Sequence, residues 1–139
     1  MSINTVPASR VTPEKIERLG EKEIFVFGSS LMGVHFGDAA RVAYDKFGAG
    51  GVSEGLKGST YAIPVVRAGI DMVKPHIEAF LSFARSHTEY RFFVTRIGCG
   101  IAGFTDEDIA PLFAVAVGME HVTLPASFWE VLQRKGLYV

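Results

Sequence analysis

The chain has 139 residues, with 14 Lys+Arg against 15 Asp+Glu, a formal net charge of -1, 48% hydrophobic residues and one Cys. This length is normal for one domain whose core is large enough to fold without a disulfide or a structural metal. The near-neutral charge, without a Lys/Arg cluster, argues against a nucleic-acid partner, because such binding depends on neutralising phosphates. The lone Cys and the lack of a leader or a membrane-length apolar run predict a cytoplasmic protein with no membrane association.

Apolar spacing and cap residues predict alternating strands and helices along the chain. In the first part we expect loose order over 1–10, a short helix over 12–19 ending at Gly20, a strand over 23–28, a loop over 29–37 and a helix over 38–47. In the middle of the chain we expect a loop over 48–58, a strand over 60–63 closed by Pro64, and a helix over 74–87 with Pro75 in its first turn. A strand over 91–97 and a loop over 98–104 follow. The last part is predicted to contain a helix capped by Thr105, a strand over 121–124 and a helix ending at Gly136. The aromatic residues expected in the core or at its rim are Phe80, Phe83, Phe113, Phe128 and Trp129.

This alternation predicts a single α/β domain over residues 1–139, with a mostly parallel or mixed central sheet between two helical layers. In such sheets, ligands bind outside the carboxyl ends of the strands. Two of the predicted strands end in glycine-rich loops, 28–37 and 98–104, and each loop leads into a predicted helix. Glycine lets a phosphate approach backbone N–H groups without a Cβ in the way, so the two loops together could hold a diphosphate. The alternative is that these glycines only allow tight turns.

Three segments carry a resemblance to a known family: the run from Phe27 to Ala43, the strand Tyr61-Ala-Ile-Pro64, and Ile97-Gly-Cys-Gly-Ile-Ala-Gly-Phe104. Their order and spacing over about residues 24–117 resemble a macrodomain, a fold of the ADP-ribose-binding type. More closely, the chain resembles a group of small bacterial and phage proteins with the same Phe-Gly-Ser and Ile-Gly-Cys-Gly-Ile-Ala-Gly segments. That group has no assigned function.

The resemblance implies a nucleotide diphosphate ligand such as ADP-ribose, and we expect no cofactor and, from the histidine spacing, no metal. The ligand-binding residues that we expect in the first loop are Gly28, Ser29, Ser30, Gly33, Val34 and Gly37, of which the resemblance implies the last three. Those expected in the second loop are Gly98, Cys99, Gly100, Ile101, Ala102, Gly103 and Phe104; all but Cys99 are implied by the resemblance, and Phe104 would pack against the ribose or the base.

Catalysis is a further possibility. His35 and Asp38 could act as general acid and base in a hydrolase of an ADP-ribose-type or phosphoester bond. Cys99 could be a nucleophile, although a small buried thiol that fills space at the edge of the sheet is the favoured interpretation. Arg96 could add charge to a diphosphate site, although pairing with an acidic neighbour is favoured.

The other function class is a non-catalytic structural or interaction protein of phage or bacterial origin that keeps the fold without binding a ligand. The first loop favours it, because Ser29 and Ser30 stand where macrodomains usually carry Asn, and Phe36 lies among the glycines.

Overall fold

A computed structural model describes residues 6–29, 46–48, 54–65, 69–99 and 103–137. Five strands form one sheet in the order β2-β3-β1-β4-β5. The strands are β1 (Glu23–Ser29), β2 (Gly55–Lys57), β3 (Thr60–Pro64), β4 (Arg91–Val94) and β5 (Val122–Thr123). Strand β2 is antiparallel to β3, and every other neighbouring pair is parallel. The predicted α/β class with a mixed central sheet is therefore confirmed.

Helices lie between β3 and β4 and between β4 and β5 along the chain. The helices that lie wholly within the described ranges are α1 (Ile70–Ser86), α2 (Asp106–Ile109), α3 (Ala126–Arg134), and the 3-10 helices Ala8–Arg10 and Ala110–Gly118. Helix α2 begins with the predicted cap, since the Thr105 side chain accepts from the Asp108 N–H and the Asp108 side chain accepts from the Thr105 N–H. Such a reciprocal capping box pairs two N–H groups that a helix start otherwise leaves without partners.

Both faces of the sheet are apolar. On β1, Ile24 and Val26 belong to the main core, whereas Phe25 and Phe27 belong to a second cluster, as strand alternation requires. The main core packs the sheet against α1, the longer 3-10 helix and α3, and the second cluster also contains Phe47. The predicted core positions of the aromatic residues are confirmed: Phe80, Phe113, Phe128 and Trp129 are fully buried, and Phe83 packs at the rim.

Residues 12–19 do not form the predicted helix. Thr12 is not a helix cap, because its N–H donates to the Leu124 carbonyl (2.9 Å) and its hydroxyl contacts that of Thr123 (2.7 Å). Val11 and Thr12 therefore lie beside Leu124, next to β5, and Ile16 and Leu19 further along the chain pack against the second cluster. Contacts with a distant part of the chain have overridden a local helix signal.

The predicted loop over 48–58 contains β2. Gly58 forms the turn into β3: it has a φ of 59°, and a Cβ there would lie 2.9 Å from the carbonyl oxygens of Phe47 and Gly48. Pairing of Leu56 with Tyr61 offsets the entropic cost that led us to expect a loop.

Two prolines affect the helices, and one of them, Pro75, does not lie in the first turn that the sequence predicts for it. Helix α1 begins at Ile70 rather than Lys74, so Pro75 lies inside it and one backbone hydrogen bond is missing there. After α2, the chain continues as the 3-10 helix Ala110–Gly118, with Pro111 in its first turn. An α-helix would need the N–H that Pro111 lacks, whereas the start of a new 3-10 helix does not.

The N-terminal segment is tied to the domain through Arg10, although the sequence predicts loose order over residues 1–10. Val6 is buried, and the Arg10 guanidinium donates to the carbonyls of Ala116 (2.9 Å), Val117 (3.3 Å), Met119 (2.9 Å) and Val122 (3.2 Å). The Trp129 Nε1–H donates to the Arg10 carbonyl at 2.9 Å. A local pattern cannot predict these contacts, because each joins residues more than 100 positions apart.

Candidate functional site

The carboxyl ends of β1, β3 and β4 meet at Gly28. A Cβ built on Gly28 would lie 3.3 Å from Val65 Cγ2, 3.4 Å from Ile97 Cγ2 and 3.6 Å from the Gly98 backbone nitrogen. The Thr95 N–H donates to the Val26 carbonyl (3.1 Å), which holds the end of β4 against β1. The two glycine-rich loops therefore begin side by side at one edge of the sheet.

In the first loop, Gly28 and Ser29 are the residues that the structure describes. Ser29 is buried, and its carbonyl accepts from the Val65 N–H at 2.8 Å. The remaining predicted residues of this loop lie outside the described ranges: Ser30, Gly33, Val34, His35, Gly37 and Asp38.

The second loop is closed by its own backbone. Gly98 has a φ of 78° and Gly103 a φ of 85°, a backbone conformation that favours glycine. The Cys99 N–H donates to the Arg96 carbonyl (3.2 Å), and the Phe104 N–H donates to the Gly98 carbonyl (2.8 Å). The residues between these bonds, Gly100, Ile101 and Ala102, lie outside the described ranges.

Phe104 packs against the loop to which it belongs. A Cβ on Gly98 would lie 3.1 Å from Phe104 Cδ2 and 3.3 Å from Ile109 Cδ1. The ring is partly buried and contacts the main core. Gly98 is thus required both by its φ and by the close approach of this ring.

Cys99 has the character of a partly buried thiol. Its Sγ lies 3.6 Å from the Ile97 carbonyl and 3.6 Å from Asp106 Oδ1. Burial, and then the negative charge of Asp106, raise the pKa of Cys99 from 9.0 to about 12. The thiol is therefore protonated at neutral pH, which favours the structural interpretation over the nucleophile.

Arg96 pairs with an acidic neighbour, as its strand position predicts. Its Nε and Nη2 donate to the two carboxylate oxygens of Asp106 at 3.0 and 2.9 Å. Ser127, in the first turn of α3, also donates its hydroxyl to Asp106 Oδ1 at 3.0 Å. Burial alone would raise the pKa of Asp106, but the hydrogen bonds from Arg96 and Ser127 outweigh it and lower that pKa.

Asp106 connects three elements of the structure, which the sequence does not predict. From the sequence, Asp106 is expected only in the acidic first turn of a helix, where a carboxylate suits the helix dipole. The carboxylate in fact joins the end of β4, the second loop and α3 through Arg96, Cys99 and Ser127. No local signal points to Ser127, which is 21 residues away from its partner.

The described histidines serve packing and capping. His76 Nδ1 lies 2.9 Å from Glu54 Oε2, which links α1 to the segment before β2. His87 Nδ1 and His121 Nε2 donate to the Phe83 and Ala84 carbonyls in the last turn of α1, both at 2.7 Å. In the part of the chain that the structure describes, no three His, Cys, Asp or Glu side chains cluster as metal ligands would.

None of the described helices combines the length and apolar character needed to cross a membrane. Comparison of the chain with protein-family models, with curated proteins and with solved structures found no match.

Proposed function

We propose that this protein binds a nucleotide diphosphate, such as ADP-ribose, between the loop after β1 and the loop after β4, in a three-layer macrodomain-like domain. The observation that carries the proposal is the adjacency of Gly28 and Gly98 at the carboxyl ends of neighbouring parallel strands. Ligands of open α/β sheets bind at this edge.

The chemistry of the two loops suits a diphosphate. Backbone N–H groups that are not used in the sheet can donate to phosphate oxygens, and glycine removes the Cβ that would keep a phosphate away. Gly98 and Gly103 give the second loop a curvature that other residues rarely adopt. Two loops that begin side by side can contact the two phosphates from opposite sides, which explains a preference for a diphosphate over a single phosphate.

Titration calorimetry with ADP-ribose and ADP tests the proposal. We expect the wild-type protein to bind, and Gly100→Glu to abolish binding because it adds a negative charge to the loop that would receive the phosphates. Gly118→Glu is the matched control, because Gly118 has open space around its Cβ position and lies in the 3-10 helix rather than in a loop of the site. Wild-type protein that releases no heat with either nucleotide contradicts the proposal and favours a structural or interaction protein.

Hydrolysis of the ligand stays a prediction of the sequence, because His35 and Asp38 lie outside the described residues. Turnover of an ADP-ribosylated protein or of ADP-ribose phosphate that survives both His35→Ala and Asp38→Ala would show that neither residue acts as the base.

A further inference from the structure

Arg96 lies just before the second loop. It lies two residues after the end of β4 and two before Gly98, and its carbonyl accepts the Cys99 N–H that makes the first turn of the loop. Its side chain is 56% exposed, so the guanidinium reaches solvent at the same edge of the sheet as the glycines.

The pair with Asp106 leaves part of the guanidinium available. Of the five N–H donors of an arginine, Asp106 takes one from Nε and one from Nη2. The remaining donors, on Nη1 and Nη2, form a planar fork at the end of the side chain, which is the geometry that binds two oxygens of one phosphate.

Asp106 keeps that fork in place. Its carboxylate is only 23% exposed and is itself held by Ser127 at 3.0 Å. A guanidinium that is already ordered loses less conformational entropy when a ligand binds than a free surface arginine does. Because the Arg96–Asp106 pair has no net charge, the attraction to a phosphate would come from directed hydrogen bonds rather than from a positive field.

We infer that Arg96 contacts the diphosphate of the ligand and that Asp106 is the positioning residue that orients its guanidinium. This inference rests on the proposed function, and it names the feature by which the site would distinguish a phosphate-bearing ligand from an uncharged nucleoside.

The chain offers a matched control in Arg134. Its Nη1 donates to both carboxylate oxygens of Glu107, the residue that follows Asp106, and its side chain is 54% exposed. Arg134→Gln removes the same unit charge and the same kind of ion pair as Arg96→Gln, but Arg134 lies at the end of α3 and not beside the glycines.

Calorimetry with ADP-ribose and with inorganic pyrophosphate tests the inference. Arg96→Gln should weaken both affinities about 10- to 100-fold, because charge-assisted hydrogen bonds are lost. Asp106→Glu keeps the pair neutral but moves the carboxylate by one methylene, so it should weaken both affinities about 3- to 10-fold because the guanidinium is oriented less well. Arg134→Gln should leave both affinities within about twofold of the wild type, since exposed ion pairs contribute little.

If Arg96→Gln does not fold in a thermal unfolding measurement, Arg96→Lys takes its place. This variant keeps the charge but lacks the planar fork, so it should weaken both affinities about 3- to 10-fold.

The possible failures can be told apart. If the wild type binds ADP-ribose and the Arg96 variants bind it equally well, the inference is overturned and the proposed function stands. If the wild type binds pyrophosphate but not ADP-ribose, the nucleotide proposal falls and the effect of the Arg96 variants on pyrophosphate decides the inference. If the wild type binds neither, or if Arg134→Gln weakens binding as much as Arg96→Gln, the inference is overturned.

Discussion

Two arginines mark two different regions of this protein. Arg10 ties the N-terminal segment to the domain: it donates to four carbonyls, and its guanidinium lies 5.3 Å from the centre of the Trp129 ring. Arg96 lies at the glycine-rich edge, is 56% exposed and pairs with the Asp106 carboxylate. The residue type is the same, but the partners and the exposure differ. Arg10 stabilises the fold through backbone carbonyls, whereas the exposed guanidinium of Arg96 is the one that we propose contacts a ligand.

The largest effect on stability is expected from removal of the Arg10 side chain. Arg10→Ala should lower the free energy of unfolding by about 3 kcal/mol, because it leaves the Ala116 and Met119 carbonyls without a charged donor and removes the contact with the Trp129 ring. Urea unfolding measures the effect, with Arg134→Ala as a control expected to cost less than about 1 kcal/mol. Equal costs for the two variants would contradict the structural role of Arg10.

In the second loop, we expect stability to depend on the backbone conformation of Gly98. Gly98→Ala should lower the free energy of unfolding by about 2 kcal/mol, since φ is 78° and the new Cβ would lie 3.1 Å from Phe104 Cδ2. In Gly118→Ala the new Cβ meets nothing within 4 Å, so urea unfolding should show a change below about 0.5 kcal/mol. A Gly98→Ala protein as stable as the control would show that the second loop is not held as described.

The protonation state of Cys99 reports how far the glycine-rich edge excludes water. A rise in pKa from 9.0 to about 12 lowers the thiolate fraction about 1000-fold at neutral pH, and the greater nucleophilicity of the thiolate recovers part of that loss. Alkylation at pH 8 should therefore be about 30-fold slower in the native protein than in urea-unfolded chain. The native rate should keep rising with pH up to about 12, and a plateau near pH 9 would contradict the burial of the thiol.

The smallest effect is expected from the charge of Asp106. Asp106→Asn should lower the free energy of unfolding at pH 7 by about 1 kcal/mol, through weaker hydrogen bonds from Arg96 and Ser127. Because the pKa of Asp106 is lower in the folded protein, its contribution is present above its unfolded pKa and is lost as pH falls through the folded value. The difference between wild type and variant should therefore shrink as the pH falls below the ordinary aspartate value of 3.8, as followed by unfolding at decreasing pH. A constant difference would mean that ionisation is irrelevant.

Much of the fold and part of the candidate site could be predicted from the sequence. Apolar runs identified β1, β3 and β4, and the Thr105 cap identified the start of α2. Parallel strands bring their carboxyl ends to one edge, so the presence of Gly28 and Gly98 at the same edge followed from the strand pattern, whereas the pairing of β1 with β4 did not. The strand position of Arg96 also indicated an acidic partner, although not which one.

Strand burial, helix spacing and turn chemistry are local properties of the chain, so the α/β class, the main strands and their glycine-rich ends could be predicted without a structure. Elements whose partners lie far away depend on tertiary contacts. These contacts replaced the predicted helix over residues 12–19, paired β2 with β3 despite its glycine, and joined Asp106 to Arg96 and Ser127. Hydrogen bonds between distant residues and the packing of both sheet faces outweigh local preferences of a few tenths of a kcal/mol per residue, and these contacts are absent from any local sequence pattern.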